Sequence, residues 1–516
     1  MTGDLLLCID VGTGSVRAAA VDLRGRVLHV AHREHEQIVP RFGWAEQAAE
    51  GWWDGVVAAT RDLLDTQDGL AGRLRAIAVC GQMHGTVLVD DQGLPTRPNV
   101  PLWNDKRTSA LVREFERAHD FRQVMRDSGN PATPAWPGFK LAWLRAHDPQ
   151  AYARAHAVLM PKDFINFRLT GEMAMDPGDA SLSFLMDPAT RRWSGAMIER
   201  LGLDAAKLPP LRQPLEILGD LRPAAASALG LPPGLPVLVG SADYPVALLG
   251  SGVCQPGLAS DVTGTSCIIT SITGAPVLDA AVCNMATVEG NWGAFILLET
   301  GGDAVRWARR ALHERRLSYE QIMDHAGTAP AGSDGLFFLP YLAGERLGEA
   351  RNARAQFFGL SAAHTLAHLD RALIEGVAFS AARALRLMER LSGERVQRVV
   401  ATSGGAKSPL WLRIKASAYN LPIEVPGEAE GGLVGCAMMA ATALGHYSSL
   451  QAAAQHCVRI ERVVEPDPAW AERYARMQPV FDRLYEAAKP FYDALDALAD
   501  GAAPGTAHQE EGRDHG

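Results

Sequence analysis

The 516 residues contain no Cys-x-x-Cys pair. The seven cysteines are scattered at 8, 80, 254, 267, 283, 436 and 457, several of them inside apolar, strand-like runs. That pattern argues against a disulfide framework and against structural zinc held by thiolates. It predicts reduced, buried thiols in a cytoplasmic protein. No apolar run reaches the ~20 residues of a membrane-spanning helix. The nearest, 434–444, predicts a buried helix. Basic residues are not in excess: 50 Lys and Arg face 59 Asp and Glu, a formal charge of −9. With no basic stripe and no aromatic-basic array, nucleic acid is not expected as a partner. A strand-like run begins at residue 5, so no signal peptide is expected. No low-complexity linker divides the chain. Only residues 501–516, rich in Gly, Ala and charge, predict a disordered tail. This length predicts more than one domain.

The stretch 5–22 reads L-L-L-C-I-D-V-G-T-G-S-V-R-A-A-A-V-D. It predicts two strands joined by a polar, glycine-bearing turn. Gly12-x-Gly14 is not a dinucleotide fingerprint, because Arg17 stands where the third glycine belongs and a strand follows. Nor is it a Walker loop, since no Gly-Lys-Ser/Thr closes it. Such a turn can still receive an anion. Gly12 and Gly14 let backbone N–H groups approach closely, Thr13 and Ser15 add hydroxyls, and Arg17 adds a fixed charge. Asp10 ends the first strand, where a Mg²⁺ accompanying phosphates finds an oxygen ligand.

The layout returns half a chain later. Asp261-Val262-Thr263-Gly264-Thr265-Ser266 echoes Asp10-Val11-Gly12-Thr13-Gly14-Ser15, again between apolar runs. Two such hairpins predict two related domains facing one nucleotide. At this point the chain resembles the FGGY sugar kinases of the actin-like/ribonuclease-H-like ATPase superfamily. The resemblance implies an α/β fold of two related domains, 1–245 and 246–500, with the active site in the cleft between them. It also implies ATP and Mg²⁺ as cofactors, a small sugar or polyol as substrate, and a homodimer. Gly264, Thr265 and Ser266 then face ATP. Gly302, in a Gly-x-x-x-x-Trp element, and Gly404, Gly405 and Ala406 lie beside the nucleotide.

The sugar side is carried by three strings. Gly81-Gln82-Met83-His84-Gly85 ends a predicted strand, 74–80, and resembles the xylulokinase branch, which implies sugar contact for Met83 and His84. Trp103-Asn104-Asp105-Lys106-Arg107 keeps the family's Trp-x-Asp-x-Arg pattern. An indole face suits the C–H face of a sugar, and Asp105 can bond hydroxyls or brace the loop. Trp52 and Trp53 read as core of a helix over 48–64. The segment 176–184 is given no chemistry, because loop and capping roles explain it. Asp243 follows the apolar strand 236–239 and stands where a helix begins, on the sheet edge where ligands bind. The resemblance makes it the catalytic base, a substrate contact and a possible metal ligand. The family's Asn or Gln after this aspartate is replaced by Tyr244, which puts the identity of the sugar in doubt. Ketopentose phosphorylation, most of all of D-xylulose, is therefore the expected activity. A ribulose or erythritol kinase, an actin-like ATPase and a sugar-sensing scaffold stay open.

Overall fold

Seven consecutive buried residues, Leu5–Val11, form a strand covered on both faces, β1, so its polarity does not alternate. The chain is described by a computed structural model over residues 3–345, 347 and 351–499. The expected tail therefore falls outside the described residues. β1 pairs antiparallel with β2 (Ser15–Asp22), and β2 with β3 (Val27–Glu34). α1 (Ala49–Leu64) crosses back, and β4 (Leu74–Gly81) lies parallel to β1. After α2 (Pro161–Thr170) come the antiparallel edge strand β5 (Ile217–Asp220) and β6 (Pro236–Leu238), which is parallel to β4. The order is β5-β6-β4-β1-β2-β3. α3 (Asp243–Gly250) then leaves the sheet.

The second half repeats this plan. β7 (Leu258–Thr263), β8 (Cys267–Thr273), β9 (Cys283–Ala286) and β10 (Trp292–Leu298) are antiparallel neighbours along the order β7-β8-β10-β9. Three helices follow: α4 (Asp303–Ala311), α5 (Tyr319–Gly327) and α6 (Leu366–Ser392). β11 (Arg398–Thr402) lies parallel to β7. After α7 (Pro409–Tyr419), β12 (Ile423–Pro426) lies parallel to β11. α8 (Gly431–Ala443) and the antiparallel edge strand β13 (Ile460–Val464) complete it. Three neighbouring antiparallel strands, two parallel strands and an antiparallel edge thus occur twice, with β9 added outside β10 in the second sheet. The predicted α/β class and internal repeat are both present.

Two helices tie the halves together by crossing. Leu5, Leu7, Ile9 and Val11 face α1 with Trp52, Val56 and Leu63, so both tryptophans are core, as expected. Leu6 and Cys8, on the opposite face, pack in one cluster with Leu433 and Val434 of α8. α8 belongs to the second half by sequence but covers the first sheet. Leu248 of α3 packs with Leu258, Ile272 and Phe295 of the second sheet. The two helices meet backbone to backbone. A Cβ on Gly250 would lie 1.8 Å from the Gly431 carbonyl, and one on Gly435 would lie 2.1 Å from that of Val246. Only glycine permits that approach. Of the stretch expected to be a buried helix, 434–441 is buried between the halves and Leu444 is exposed, and among the described residues no helix is long and apolar enough to cross a membrane. All seven cysteines are buried and free.

Candidate functional site

Strand parity decides where Asp10 points. Alternate residues face opposite sides of a sheet, so Asp10 shares the face of Leu6 and Cys8, toward α8. A Cβ on Gly432, in the first turn of α8, would lie 3.5 Å from Asp10 Oδ2. Arg17, opposite Asp10 in the β1–β2 register, donates to Asp10 Oδ2 and to Glu430 Oε2 just before α8. One guanidinium thus joins the two halves across the cleft floor. Asp243 opens α3, after Ser241–Ala242 pair with the end of β4. Among the described residues, neither Asp10 Oδ1 nor Asp243 Oδ1, both shielded from solvent, has a hydrogen-bond partner.

Burial raises the Asp10 carboxyl above its usual range, and the Arg17 guanidinium pulls against that rise. Asp243 is pushed up to about 7, by burial first and then by the Asp10 charge, with backbone N–H donation and Arg17 opposing. Two carboxylates near one another in a low-dielectric floor cannot both ionise cheaply without a cation. Their two unpartnered oxygens fit a hard divalent ion that takes oxygen ligands.

The first turn is welded to the loop carrying Trp103. Trp103 Nε1 donates to Thr13 Oγ1 at 3.0 Å, and Thr13 Oγ1 donates to Gln82 Oε1 at 3.1 Å. Gln82 Nε2 and Trp52 Nε1 both donate to Gln47 Oε1, and Gln47 Nε2 donates to the Thr13 carbonyl at 2.7 Å. The Thr13 hydroxyl is therefore already engaged as donor and acceptor. Of the expected phosphate donors in this turn, the Gly12 N–H is spent on the Ser15 carbonyl at 3.0 Å, and the Gly14 N–H and the Ser15 hydroxyl remain. Arg17, expected at the phosphates, is held in the Asp10–Glu430 bridge.

Met83 and His84 directly follow Gln82. His84 adopts a left-handed backbone, φ +68°, which is strained for a residue with a Cβ. Its carbonyl accepts from Lys140 Nζ at 2.8 Å, and its ring meets Trp136 edge-on at 5.1 Å. Burial lowers the Lys140 ammonium to about 7. Asp105 stands apart from this group. Its side chain is fully buried, with Oδ2 accepting from the Ala45 N–H at 2.7 Å and both oxygens accepting from Arg107, which also donates to Glu46. Loop bracing, the second of its two expected uses, occupies both oxygens. Tyr244 points away from the floor. Its hydroxyl meets Thr270 Oγ1 at 2.6 Å and its ring meets Phe295 edge-on, so the residue that replaces the amide packs between the halves.

On the other side three segments converge. The Gly301 and Gly302 N–H groups donate to the Thr265 and Gly264 carbonyls at 2.9 and 2.8 Å. Arg306 Nη2 reaches Thr265 Oγ1 at 3.2 Å. A Cβ on Gly405 would lie 2.7 Å from that of Thr263, and one on Gly264 would lie 3.4 Å from Ser403 Oγ. Ser403 holds φ +69° and ψ −163°, a region populated almost only by glycine. Gly264, Thr265, Ser266, Gly302, Gly404, Gly405 and Ala406 thus form one patch at the turn end of the second sheet.

The sequence echo is displaced by one residue. The β7–β8 pairs end at Thr263, as the β1–β2 pairs end at Val11, so Asp261 takes the place of Ile9 rather than of Asp10. A one-residue shift reverses the face. Asp261 faces α7, where Lys415 Nζ lies 2.9 and 2.7 Å from its oxygens and Tyr419 donates at 2.7 Å. The acid of the second hairpin is consumed internally. Sequence reasoning also missed Glu430 and a buried cluster behind Asp243. There, Lys162 pairs with Asp163 and lies 3.2 Å from Asp176 and 3.8 Å from Asp179. Only a buried-looking run containing Lys and Asp, 161–169, hinted at it.

Residues 5–250 match the N-terminal domain of the FGGY family of carbohydrate kinases, and 259–444 match its C-terminal domain. A xylulose kinase of Staphylococcus epidermidis is 28% identical, over 95% of this chain and 98% of that protein. An autoinducer-2 kinase of Klebsiella pneumoniae is 31% identical, over 93% of each. The crystal structure of xylulose kinase from Rhodospirillum rubrum superposes with a TM-score of 0.89 at 30% identity, covering 95% of this chain and all of that one. The chain belongs to the FGGY family of carbohydrate kinases and is an ATP-dependent sugar kinase.

Proposed function

We propose that the chain transfers the γ-phosphoryl group of Mg-ATP to a terminal hydroxyl of a ketopentose, D-xylulose before others, giving D-xylulose 5-phosphate. One observation carries the reading: Asp243 opens α3 with an unpartnered, buried Oδ1 and a carboxyl pushed up to about 7. Such a group can take the proton of a hydroxyl as its oxygen attacks phosphorus. The choice of sugar rests on the xylulose kinase relatives and on Met83, His84 and Trp103 beside the first turn.

Asp10 and Asp243 would hold Mg²⁺, whose chemistry there is charge neutralisation on the phosphate oxygens. Gly14 and Ser15 receive phosphate through N–H and hydroxyl donors, and Gly12, whose N–H closes the turn onto Ser15, lets the phosphate approach closely. Gly264, Thr265, Ser266, Gly302, Gly404, Gly405 and Ala406 form the nucleotide side. Closure of the halves excludes water, which otherwise competes with the sugar as acceptor.

The test is sugar-dependent ADP release, with D-xylulose, D-ribulose, L-ketopentoses, erythritol and glycerol compared side by side. Stimulation by D-xylulose above all others is the expected result. No stimulation by any of them, with ATP still bound, ends the proposal. The 31% identity to an autoinducer-2 kinase favours a second reading, phosphorylation of autoinducer-2, which stimulation by that compound alone would select.

Two further results are expected. In the free enzyme the base must be ionised, so kcat/KM should fall about tenfold per pH unit below roughly 7 and level off above it. A profile flat from pH 5.5 to 8 contradicts Asp243 as that base. Trp103→Ala removes an apolar face that costs about 1.4 kcal/mol to lose, so KM for the sugar should rise roughly tenfold with kcat little changed. An unaltered KM places the indole outside the sugar pocket.

A further inference from the structure

Away from the cleft, three ligating side chains from three elements converge in the second half. His313 follows α4, His325 lies on α5, and Asp370 lies on α6. Their ligand atoms all lie within 4.8 Å of one another. His313 Nε2 is 2.9 Å from each oxygen of Asp370, and His325 Nδ1 is 2.7 Å from Oδ2. The Asp370 side chain is 0% exposed, that of His313 4%, and that of His325 37%.

The charge at this junction is not balanced by a fixed cation. Among the described residues no lysine or arginine pairs with Asp370. Its neighbour Arg371 is turned to Glu375 and Tyr474. A buried carboxylate without a positive partner is expensive. The two imidazoles supply ring nitrogens, not a fixed charge.

We propose that His313, His325 and Asp370 form a site for a divalent transition-metal ion, Zn²⁺ in the first place, that ties α4, α5 and α6 together. Zinc binds imidazole nitrogen and carboxylate oxygen at about 2.0–2.2 Å, so tetrahedral ligand atoms stand roughly 3.3–3.5 Å apart. Each imidazole need retreat from Asp370 by only about 0.4–0.8 Å to admit the ion. The exposed side of His325 leaves room for a water as fourth ligand. Two nitrogens among three donors select against Mg²⁺ and Ca²⁺, which prefer oxygen, so this site is chemically separate from the Asp10–Asp243 floor. The scarcity of paired cysteines excluded thiolate-held zinc, and this site needs no thiolate. α4 starts directly after Gly302 of the nucleotide patch, so the tie fixes the far end of the helix that carries that patch.

The full-length protein, stripped with a chelator and kept in millimolar Mg²⁺, should be titrated with Co²⁺ and then with Zn²⁺. One equivalent of Co²⁺ should bind, with the visible absorption of a low-coordinate imidazole site, and Zn²⁺ should displace it. Zn²⁺ should also raise the unfolding temperature by a few degrees. His325→Ala, at the half-exposed position, should fold and lose at least roughly tenfold in affinity. Asp370→Asn, which keeps the side chain's shape, should lose the absorption band. Absence of Co²⁺ uptake by the wild type, or equal uptake by His325→Ala, overturns the proposal. Neither readout depends on which sugar is phosphorylated.

Discussion

Asp243→Asn should lower kcat by about 10²–10⁴-fold, the usual worth of a positioned general base, while ATP binding measured without Mg²⁺ stays within about threefold. Asparagine keeps the shape at the start of α3 and cannot take a proton. The nucleotide patch lies on the other half and loses nothing. A kcat within tenfold of wild type would remove Asp243 from the mechanism. The same substitution carries a stability signature of opposite sign. The folded carboxyl titrates near 7, above the ordinary aspartate value, so its neutral form is the stable one. Stability is thus complete below about pH 4 and is lost as pH rises toward 7. Asparagine cannot ionise, so the variant should be more stable than wild type at pH 8, by a few kcal/mol at most, and no more stable at pH 4. Urea unfolding at the two pH values separates a functional acid held at a cost from a merely structural one. A variant that is inactive and also less stable at pH 8 would point to the structural role.

How much of this was legible in the sequence depends on what each residue's neighbours are. The turn after Asp10 was readable because glycines, hydroxyls and a strand-ending acid are adjacent in the chain. The echo at 261–266 correctly announced a second, related half. It misaligned the acid by one position, because resemblance in composition does not fix strand parity, and parity decides the face. Asp105 sits within a motif, yet its role was decided by Ala45 and Glu46, some sixty residues earlier, which capture it together with Arg107. Tyr244 looked like a change in specificity. Its partner, Thr270, belongs to the other sheet, and nothing local reveals that pairing. Glu430 becomes relevant only because α8 crosses onto the first sheet and brings it 413 positions back to Arg17. Local chemistry was readable, and contacts made by the crossing of the halves were not.

The buried cluster behind the floor is the strongest case of that second kind, and it carries the largest stability effect expected. Lys162 Nζ is fully buried among Asp163, Asp176 and Asp179, and also donates to the Val239 carbonyl at 3.2 Å. Asp176 is further held by Ser241 and by the Gly178 N–H. Even beside this cation Asp163 is pushed up to about 6 by burial, and Asp179 is raised well above the usual range by burial and by Asp176. Lys162→Met removes the one positive charge and keeps the length of the stem. Breaking a buried pair from one side costs about 3–5 kcal/mol, because the remaining charges stay uncompensated. Asp163 and Asp179 should then titrate higher still. Acids raised in the folded state cost stability above their unfolded value, near 4, and increasingly so up to their folded value. The deficit should therefore be largest at pH 8 and should shrink as pH falls toward 4. Measurement of urea unfolding across that range, with Lys162→Met and Lys162→Met/Asp163→Asn compared, tests the account, since the second change removes one stranded acid and should recover part of the loss. Activity should fall with stability: Val239 precedes the segment that delivers Asp243, and Gly240 is so tightly placed that a Cβ there would lie 2.1 Å from the Val79 carbonyl. If Lys162→Met unfolds within about 1 kcal/mol of wild type at pH 8, the acids behind the floor are already neutral, and their charge plays no part in holding Asp243 in place.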